Sequence, residues 1–519
     1  MRTHNYSKNQ NSSIFEFYKS RLDLVLFASL ITIVIYLPQA YSLSIQIDTE
    51  TLINGAHSLN WLEIGRFGLH FVQKFLTLWN YNPYFSGCLM LIFFCLSALL
   101  WIYLYNYLSC GQKRFNYYLF ILIYLTNPIW ASQFYFSLQQ AAICLVMCLL
   151  SVGIYLQFSI YKTDNRIEKI FKLLLIICVL TLVFASYQAF VSVYAVAVSF
   201  GLLLGYQSNY LGEKTKSFLS RGLMIIGTGI ICFVLYLFLL KFFPQTNYLE
   251  SMVYWKNGFI NTVHNLWEIA KLVFSGIKFY YGIFVALGLI IALLKIVSNK
   301  ISWQRKAIEI SLIIILVVSS MLMFLYIGNT PVFRAQIAVP LFTACFLSYV
   351  FYSETYKRYK IERLMICIIS WTLIIPVFVN TKVTTSLFYV DEMRDVQDRA
   401  LAQQINFEIQ KISTDPSIKN LYIIGKKDLS LNASTQEAIN LGVEMFPASG
   451  FNWDYSPMNI SGVSGRATAY INAVCGTNYY GLDNTFKEEA EALSRTMPNF
   501  PKEGSVIQGN GFYVVKLSD

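Results

Sequence analysis

Residues 84–108 read YFSGCLMLIFFCLSALLWIYLYNYL, an apolar run of 25 residues that contains no charged side chain. A helix of that length measures about 37 Å, whereas the hydrocarbon core of a bilayer is about 30 Å thick. The run therefore predicts a membrane-spanning helix. Similar runs recur until residue 380, and they predict about eleven spans, at residues 23–43, 84–108, 116–130, 134–158, 170–186, 187–206, 222–243, 279–297, 308–327, 335–352 and 364–380.

The composition agrees with a membrane protein. Of the 519 residues, 56% are hydrophobic and 13% are charged, which is about half the charged share of a soluble domain. The ten cysteines lie mostly within apolar runs, where Cys acts as a small hydrophobic residue, and no CxxC spacing occurs. We therefore expect no metal site built on cysteine.

The distribution of positive charge predicts how the chain is threaded. With a cytoplasmic N-terminus, 21 of the 40 Lys and Arg residues fall in cytoplasmic segments and seven in outer membrane loops. The apolar stretch 170–206 is too long for one ordinary span, and only a break at residues 185–188 keeps the later basic loops inside. The span at 116–130 is short, which suggests a tilted or re-entrant segment. Because the net charge of +11 is then cytoplasmic, nucleic-acid binding loses its main support.

The tail, residues 381–519, reads as a small α/β domain on the outer side of the membrane. Residues 392–412 show the apolar stripe of an amphipathic helix, and residues 421–425 read as a buried strand. Two further strand-like runs, 505–507 and 512–515, flank a Gly-Asn-Gly turn and predict a hairpin. The tail contains one cysteine and so no internal disulfide. We predict two domains, a transmembrane domain at 1–380 and an extracytoplasmic domain at 381–519.

The outer face offers few groups for chemistry, since the predicted spans hold almost no ionisable residues. Its loops carry five acids: Asp48, Glu50, Glu63, Glu250 and Glu268. Asp48 or Glu50 could serve as a general base, Arg66 could bind a phosphate, and Trp61 could contact a sugar ring or a lipid chain. The alternative is structural: Asp48 would cap a helix, and Trp61 would anchor the chain at the membrane interface.

Other polar and aromatic residues are predicted at the same face. Gln139 lies at the outer end of one span, and Tyr187 with Gln188 lies between two others, where interhelical hydrogen bonding is the alternative role. Trp255 and Lys256 fall in a loop that could lie flat on the membrane.

Two further candidates come late in the chain. Arg334 stands at a helix start, where it opposes the helix dipole, so its partner is either a ligand phosphate or a structural carboxylate. Trp453 and its neighbour Phe451 could stack on a sugar or belong to the core of the tail.

Taken together, these residues resemble the Gtr-type glucosyltransferases of the type II branch, which decorate bacterial surface polysaccharides such as O-antigen. The resemblance covers nearly the whole chain. It is carried by Asp48-Thr49-Glu50, Trp61, Gly65-Arg66-Phe67, Asn127-Pro128, Gln139, Ser186-Tyr187-Gln188-Ala189-Phe190, Arg334, Pro340, Gly450-Phe451-Asn452-Trp453-Asp454, residues 501–506 and residues 514–517.

The resemblance implies a GT-C-like polytopic enzyme of the bacterial cytoplasmic membrane with its active site on the outer face. It implies a polyprenyl-phosphate sugar donor, namely undecaprenyl-phosphate glucose, and a surface polysaccharide acceptor. The family's early acidic residue matches both Asp48 and Glu50, so either could be the base. Direct displacement with inversion needs one carboxylate and a cation for the departing phosphate. We expect no cofactor, and a need for a divalent cation such as Mg²⁺ stays open.

Two other classes compete with a transferase. A flippase or transporter for lipid-linked sugars would explain the many spans, but the chain shows no internal repeat and its spans are uncharged. A polysaccharide polymerase or ligase is the nearer enzymatic alternative.

Overall fold

The computed structural model describes residues 13–519 except 56–59, 79, 213, 244–252, 277, 300, 353–359, 444, 447 and 483, and it does not describe the side chains of residues 60, 360–363, 365 and 366. Of the predicted outer-face acids, Glu250 lies outside the described residues.

The described chain is mostly helical. Helices of the first part are α1 Ile14–Lys19, α2 Leu22–Ala40, α3 Thr49–Ile53, α4 Asn60–Glu63, α5 Phe67–Phe75, α6 Pro83–Leu108, α7 Tyr117–Leu125, α8 Ile129–Phe134, α9 Gln140–Ser159, α10 Arg166–Ser186, α11 Phe190–Gln207 and α12 Thr215–Leu240. They are followed by α13 Phe259–Ser275, α14 Gly282–Ser298, α15 Trp303–Ser320, α16 Leu322–Ile327, α17 Ala338–Val350, α18 Lys360–Thr372 and α19 Ile374–Ile412. The tail adds β1 Asn420–Ile424, α20 Ala433–Ile439, α21 Ser464–Cys475, α22 Lys487–Ser494, β2 Val506–Gln508 and β3 Phe512–Lys516.

Several of these helices could cross a membrane. Six stretches of the described chain are long and apolar enough: Leu22–Ala40, Pro83–Leu108, Gln140–Lys162, Phe190–Gln207, Thr215–Leu240 and Cys367–Ile412. Two shorter apolar helices are Gly282–Ser298 and Ala338–Val350. A helix lies within each of the eleven predicted spans, and α10 ends at Ser186 while α11 begins at Phe190, which confirms the predicted break. The count of eleven crossings stays a prediction.

The short third span is a helix interrupted at Asn127-Pro128. Proline disfavours the helical conformation in the residue before it, so α7 stops at Leu125 and α8 restarts at Ile129. Neighbouring side chains satisfy the backbone around the break. The Tyr36 hydroxyl donates to the Leu125 carbonyl oxygen (2.7 Å), and the Asn127 side-chain oxygen accepts from the Ile129 N–H (3.0 Å). Such compensation is what allows irregular backbone within a buried helical bundle.

Several basic side chains meet at one end of the helical bundle, which we call the basic end. At the basic end, Arg305 donates to the Asn209 side-chain oxygen (2.7 Å), Arg114 donates to the Gln207 carbonyl oxygen (3.1 Å), and Lys162 lies 4.2 Å from the Tyr210 ring centroid. The tail packs at the opposite end, which we call the tail end. The predicted cytoplasmic side corresponds to this basic end, and the membrane topology stays a prediction.

The end of the last predicted span and the amphipathic helix of the tail lie on one continuous helix. Helix α19 runs for 39 residues from Ile374 to Ile412, and the predicted domain boundary at 380/381 falls inside it. Its start is fixed by Pro376, whose ring would clash with the carbonyl oxygen of Thr372 if α18 continued. The division into domains at 1–380 and 381–519 stays a prediction.

The tail contains a three-stranded sheet in the order β1-β3-β2. Strand β1 is parallel to β3, and β2 is antiparallel to β3, so the predicted strand and hairpin are both confirmed. Alternate residues face opposite sides of the sheet. Leu421 and Val515 pack with Ile405 of α19, whereas Tyr422 and Phe512 pack with a second cluster. Phe451 belongs to the first cluster and is fully buried, so its proposed role in sugar stacking is wrong.

Candidate active site

A cavity of about 620 Å³ opens at the tail end between the first loop, the helical bundle and the tail. It contains seven of the eleven residues that the sequence singled out as site candidates: Asp48, Glu50, Trp61, Arg66, Gln139, Arg334 and Trp453. The chain positions of these residues span about 400 residues, so the fold rather than the local sequence assembles them.

The loop before α3 places the two candidate acids. This loop is held by α19, because the Ile45 N–H donates to the Asp395 carboxylate (2.9 Å) and the Gln46 side-chain amide donates to Asp391 (2.9 Å). Asp48 then turns the chain with a φ of 72°, a left-handed conformation in which Asp is one of the more tolerated residues. Although Asp48 precedes α3, its side chain makes no capping hydrogen bond, so the predicted capping role is wrong.

Arg466, at the third position of α21, binds both acids. Its Nη1 lies 2.5 Å from Glu50 Oε1 and 3.0 Å from Asp48 Oδ1, and its Nε donates to Asp454 Oδ2 at 2.6 Å. We call these four residues the Arg466 cluster. Sequence reasoning missed Arg466, because it lies more than 400 residues from its partners in the first loop. The available signal was a single basic residue among the small residues Ser464, Gly465, Ala467 and Ala469.

The two acids of the first loop differ in their surroundings. The Glu50 side chain is only 2% exposed, whereas that of Asp48 is 58% exposed. Burial raises the pKa of Glu50 to about 7, although the Arg466 guanidinium opposes the increase. Burial acts to lower the pKa of Arg466, but the charges of Glu50, Asp48 and Asp454 raise it above the usual value, so Arg466 stays protonated. Glu50 is thus a carboxyl group that can exchange a proton near neutral pH.

Two more arginines line the cavity from the bundle. The Arg66 guanidinium carbon lies 4.6 Å from the Tyr187 ring centroid, and that of Arg334 lies 5.2 Å from the Phe136 ring centroid. An aromatic ring contacts the flat face of a guanidinium, whereas the N–H donors lie in the plane of the group. Stacking therefore leaves the donors in a direction from which they can bind an oxyanion.

Tyr187 and Gln188 do not line the cavity but contact the segment that carries Arg66 from behind. The Gln188 amide donates to the Ile64 carbonyl oxygen (3.2 Å) and to the Tyr236 hydroxyl (3.1 Å), and this hydroxyl in turn donates to the Gly65 carbonyl oxygen (3.2 Å). Gln188 therefore makes the interhelical contacts of its alternative role. Both residues support the backbone and side chain of Arg66.

The remaining candidates lie elsewhere. Trp255 and Lys256 lie in the 3-10 helix Tyr254–Asn257, and neither lines the cavity. The Trp255 indole N–H donates to the Leu325 carbonyl oxygen (2.9 Å). Glu268 pairs with Lys271 at 2.7 Å. Within the part of the chain that the structure describes, no group of three or more His, Cys, Asp and Glu side chains could hold a metal ion. The need for a divalent cation stays untested.

Comparison with known families gives one match. The family model described as Glucosyl transferase GtrII matches residues 39–379, which is well over half of the chain. The matched stretch includes Asp48, Glu50, Arg66, Gln139 and Arg334, whereas Trp453 and Arg466 follow it. No curated protein and no solved structure is significantly similar to the chain.

Proposed function

The chain belongs to the glucosyl transferase GtrII family, and from this premise we propose that it transfers glucose from a polyprenyl-phosphate donor to a surface polysaccharide. The resemblance inferred from the sequence is confirmed at the level of the family. The family supports a glucosyltransferase, and the apolar helices support a membrane protein. The lipid donor, the polysaccharide acceptor, the GT-C architecture and the outer face of the bacterial cytoplasmic membrane are parts of the proposal.

The observation that carries this proposal is one cavity that holds a buried carboxyl group and two stacked arginines. A lipid-linked sugar keeps its phosphate near the membrane surface, and the cavity lies at an end of the bundle, where such a phosphate can enter. We assign the donor phosphate to Arg66 and Arg334. Guanidinium groups bind phosphate through two parallel hydrogen bonds, which fixes orientation as well as charge.

We assign the general base to Glu50 rather than to Asp48. A base works best when its pKa lies near the operating pH, and the pKa of Glu50 is raised to about 7. In the proposed step, the Glu50 carboxylate takes the proton of an acceptor hydroxyl while the hydroxyl oxygen bonds to the anomeric carbon. The bond from that carbon to the phosphate oxygen breaks, and its electron pair leaves with the phosphate. Attack opposite the leaving group inverts the anomeric configuration.

Arg466 and the acids around it complete the site from the tail. Arg466 fixes the Glu50 carboxylate and keeps part of the Glu50 population ionised at neutral pH, because a nearby cation favours the charged form. Trp453, 42% exposed on the cavity wall, offers an aromatic face to a sugar. The tail is therefore part of the proposed active site and not only a cover for it.

The test uses the purified full-length protein in lipid nanodiscs with a panel of polyprenyl-phosphate sugars. Surface polysaccharide isolated from the bacterium that carries the chain serves as acceptor. We expect release of free polyprenyl phosphate with the glucose donor, matched by incorporation of glucose into polymer. A flippase would instead move the intact donor across a vesicle membrane without releasing phosphate, and that result would replace the transferase. Joining of whole saccharide chains would indicate a polymerase or ligase.

A further inference from the structure

A second cleft, of about 440 Å³, lies beside the active-site cavity on its tail side. We call it the neutral cleft, because no charged side chain occurs among its described lining residues. These are Thr51, Asn54, Asn420, Gly465, Thr468, Ala469, Asn472, Tyr479, Tyr480, Gly481 and Leu482. The active-site cavity, by contrast, is lined by three acids and three arginines. The neutral cleft therefore suits an uncharged ligand with many hydroxyl groups.

The two spaces adjoin each other and share part of their walls. Thr51, Gly465, Ala469 and Leu482 line both of them, and Thr51 directly follows Glu50 in α3. At the shared wall, Leu482 packs directly against α21 at Gly465. A Cβ atom at Gly465 would lie 2.4 Å from the Leu482 Cδ2 atom, so any larger residue would have to displace Leu482. A ligand in the neutral cleft thus lies directly beside the cavity that holds the proposed base.

The cleft wall that carries Tyr480 is held in place. The Leu421 N–H donates to the Tyr480 carbonyl oxygen (2.9 Å), and the Tyr480 N–H donates to the Lys419 carbonyl oxygen (2.8 Å), which fastens this segment to the edge of the sheet. The Asn472 side chain secures the neighbouring residue through two hydrogen bonds of 2.9 Å to the Tyr479 backbone. Even so, Tyr480 is 63% exposed. An exposed aromatic side chain on a fixed backbone is a ready surface for a ligand, since it has few rotatable bonds to order on binding.

Thr468 points to the same conclusion independently. This residue lines the cleft and is 1% exposed, yet its hydroxyl has no hydrogen-bond partner among the described residues. A buried hydroxyl without a partner destabilises the fold, so native proteins usually supply one from solvent or ligand. Because the oxygen itself is buried, a saccharide hydroxyl group would satisfy it after a small movement of the cleft wall.

We propose that the neutral cleft binds uncharged sugar units of the acceptor and directs the reacting hydroxyl group toward Glu50. This inference rests on the proposed transferase function and names the acceptor subsite. Tyr480 stacks on the apolar face of a sugar ring, and the amide and hydroxyl groups of the cleft bind its hydroxyl groups. A saccharide rich in uronic acid finds no cation in this lining and is disfavoured.

The experiment measures binding of short neutral hexose oligosaccharides to the full-length protein in nanodiscs, beside uronic acid oligosaccharides of equal length. Tyr480→Ala is compared with Phe407→Ala, a matched control because Phe407 is also 63% exposed but lines neither cavity. We expect Tyr480→Ala to weaken neutral-oligosaccharide binding by up to about tenfold, the range of one aromatic contact, and Phe407→Ala to change nothing. Thr468→Val, which removes only the hydroxyl group, should weaken binding by a smaller factor.

Binding and consumption of polyprenyl-phosphate glucose are measured on the same preparations, which separates the two proposals. A wild-type protein that consumes the donor but binds no neutral oligosaccharide would overturn the acceptor subsite and leave the transferase intact. Equal binding by wild type and Tyr480→Ala, or preferred binding of the uronic acid series, would overturn it too. Failure to consume any donor would overturn the transferase instead, and Tyr480-dependent binding of neutral oligosaccharides would then identify the cleft as a saccharide site of another activity.

Discussion

Two arginines at the tail end are each surrounded by acids, but only one of them faces a cavity. Arg394 of α19 is fully buried and pairs with Asp391 (2.8 Å) and Asp398 (3.1 Å), and its Nη2 donates to the Ser44 hydroxyl (2.6 Å). Arg466 pairs with Glu50, Asp48 and Asp454, and its side chain is 16% exposed on the wall of the active-site cavity. We call the first group the Arg394 cluster.

The difference lies in what else each cluster touches. The acids of the Arg394 cluster hold the first loop and the tail, since Asp391 also accepts a hydrogen bond from Gln46 of the loop (2.9 Å) and Asp398 accepts one from the Ser449 hydroxyl of the tail (2.7 Å). The acids of the Arg466 cluster line the cavity, where a substrate can reach them. The same residue types thus serve as a support in one place and, in the proposed function, as reactive groups in the other. Breaking a buried cluster destabilises the fold, whereas changing a cavity-facing one alters catalysis.

The largest expected effect is on catalysis at Glu50. Glu50→Gln keeps the shape of the side chain but removes the proton acceptor, so turnover should fall by about 10²–10⁴-fold. Donor binding should persist, since Arg66 and Arg334 are unchanged. Asp48→Asn is the matched control and should lose only a few-fold, because this acid is more than half exposed. The measurement is single-turnover release of polyprenyl phosphate. The reverse order of the two variants would transfer the role of base to Asp48.

The next effect separates the two clusters by stability. Arg394→Met leaves Asp391 and Asp398 buried without their cation and should lower the free energy of unfolding by about 3–5 kcal/mol. Arg466→Met should cost less, since Asp48 and Asp454 are partly exposed and can be hydrated. Denaturant or thermal unfolding in detergent measures both. Equal losses of stability would show that the Arg466 cluster is also mainly a structural support.

A smaller effect is expected at the two arginines that lie nearer the bundle. Arg66→Ala and Arg334→Ala each remove charge-assisted hydrogen bonds to the donor phosphate, which are worth about 1.5–3 kcal/mol. Donor KM should therefore rise by about 10-fold to 100-fold, with unfolding little changed. Titration with the donor in nanodiscs measures this. Unchanged donor affinity in both variants would contradict the assignment of the phosphate to this side of the cavity.

The smallest effect is a displacement of the pH profile. Arg466 lowers the pKa of Glu50 while burial and the Asp48 charge raise it, so Arg466→Gln should move that pKa above its value of about 7. A base must be deprotonated to act, so the acid limb of the rate profile should move to higher pH. Activity lost at neutral pH should recover in more alkaline buffer. An acid limb that stays in place would show that Glu50 does not set the rate.

Much of this arrangement follows from local patterns in the sequence. The apolar runs located a helix in every predicted span, and the scarcity of outer-face ionisable groups selected Asp48, Glu50, Arg66 and Arg334, which do line one cavity. This selection by scarcity succeeds because burying a charge, or placing it next to the membrane, costs free energy. Such charged residues therefore tend to have a structural or functional role. That the cavity is an active site stays a prediction.

The rest depended on contacts between distant parts of the chain. Arg466 meets the first loop across more than 400 residues, and no periodicity links the two. Phe451 and Trp453 stand two residues apart, and only the packing of the tail decides that the first is core and the second faces a cavity. Trp255 is of a residue type that often binds sugars, but its indole N–H donates to a backbone carbonyl oxygen outside the cavity.

The unbroken course of α19 makes the site sensitive to helical phase. The helix turns by about 100° and advances by about 1.5 Å for each residue. One extra residue between Asn380 and Asp391 would rotate the rest of α19 and the tail by roughly a quarter turn about the helix axis. Arg466 would then point away from Glu50, although no side chain of either cluster had been changed. Seven extra residues, about two turns, would restore the direction but raise the tail by about 10 Å. The length of α19 therefore sets both the direction and the height of the tail relative to the bundle. Changes in this length should be tolerated less than substitutions along the exposed face of the helix.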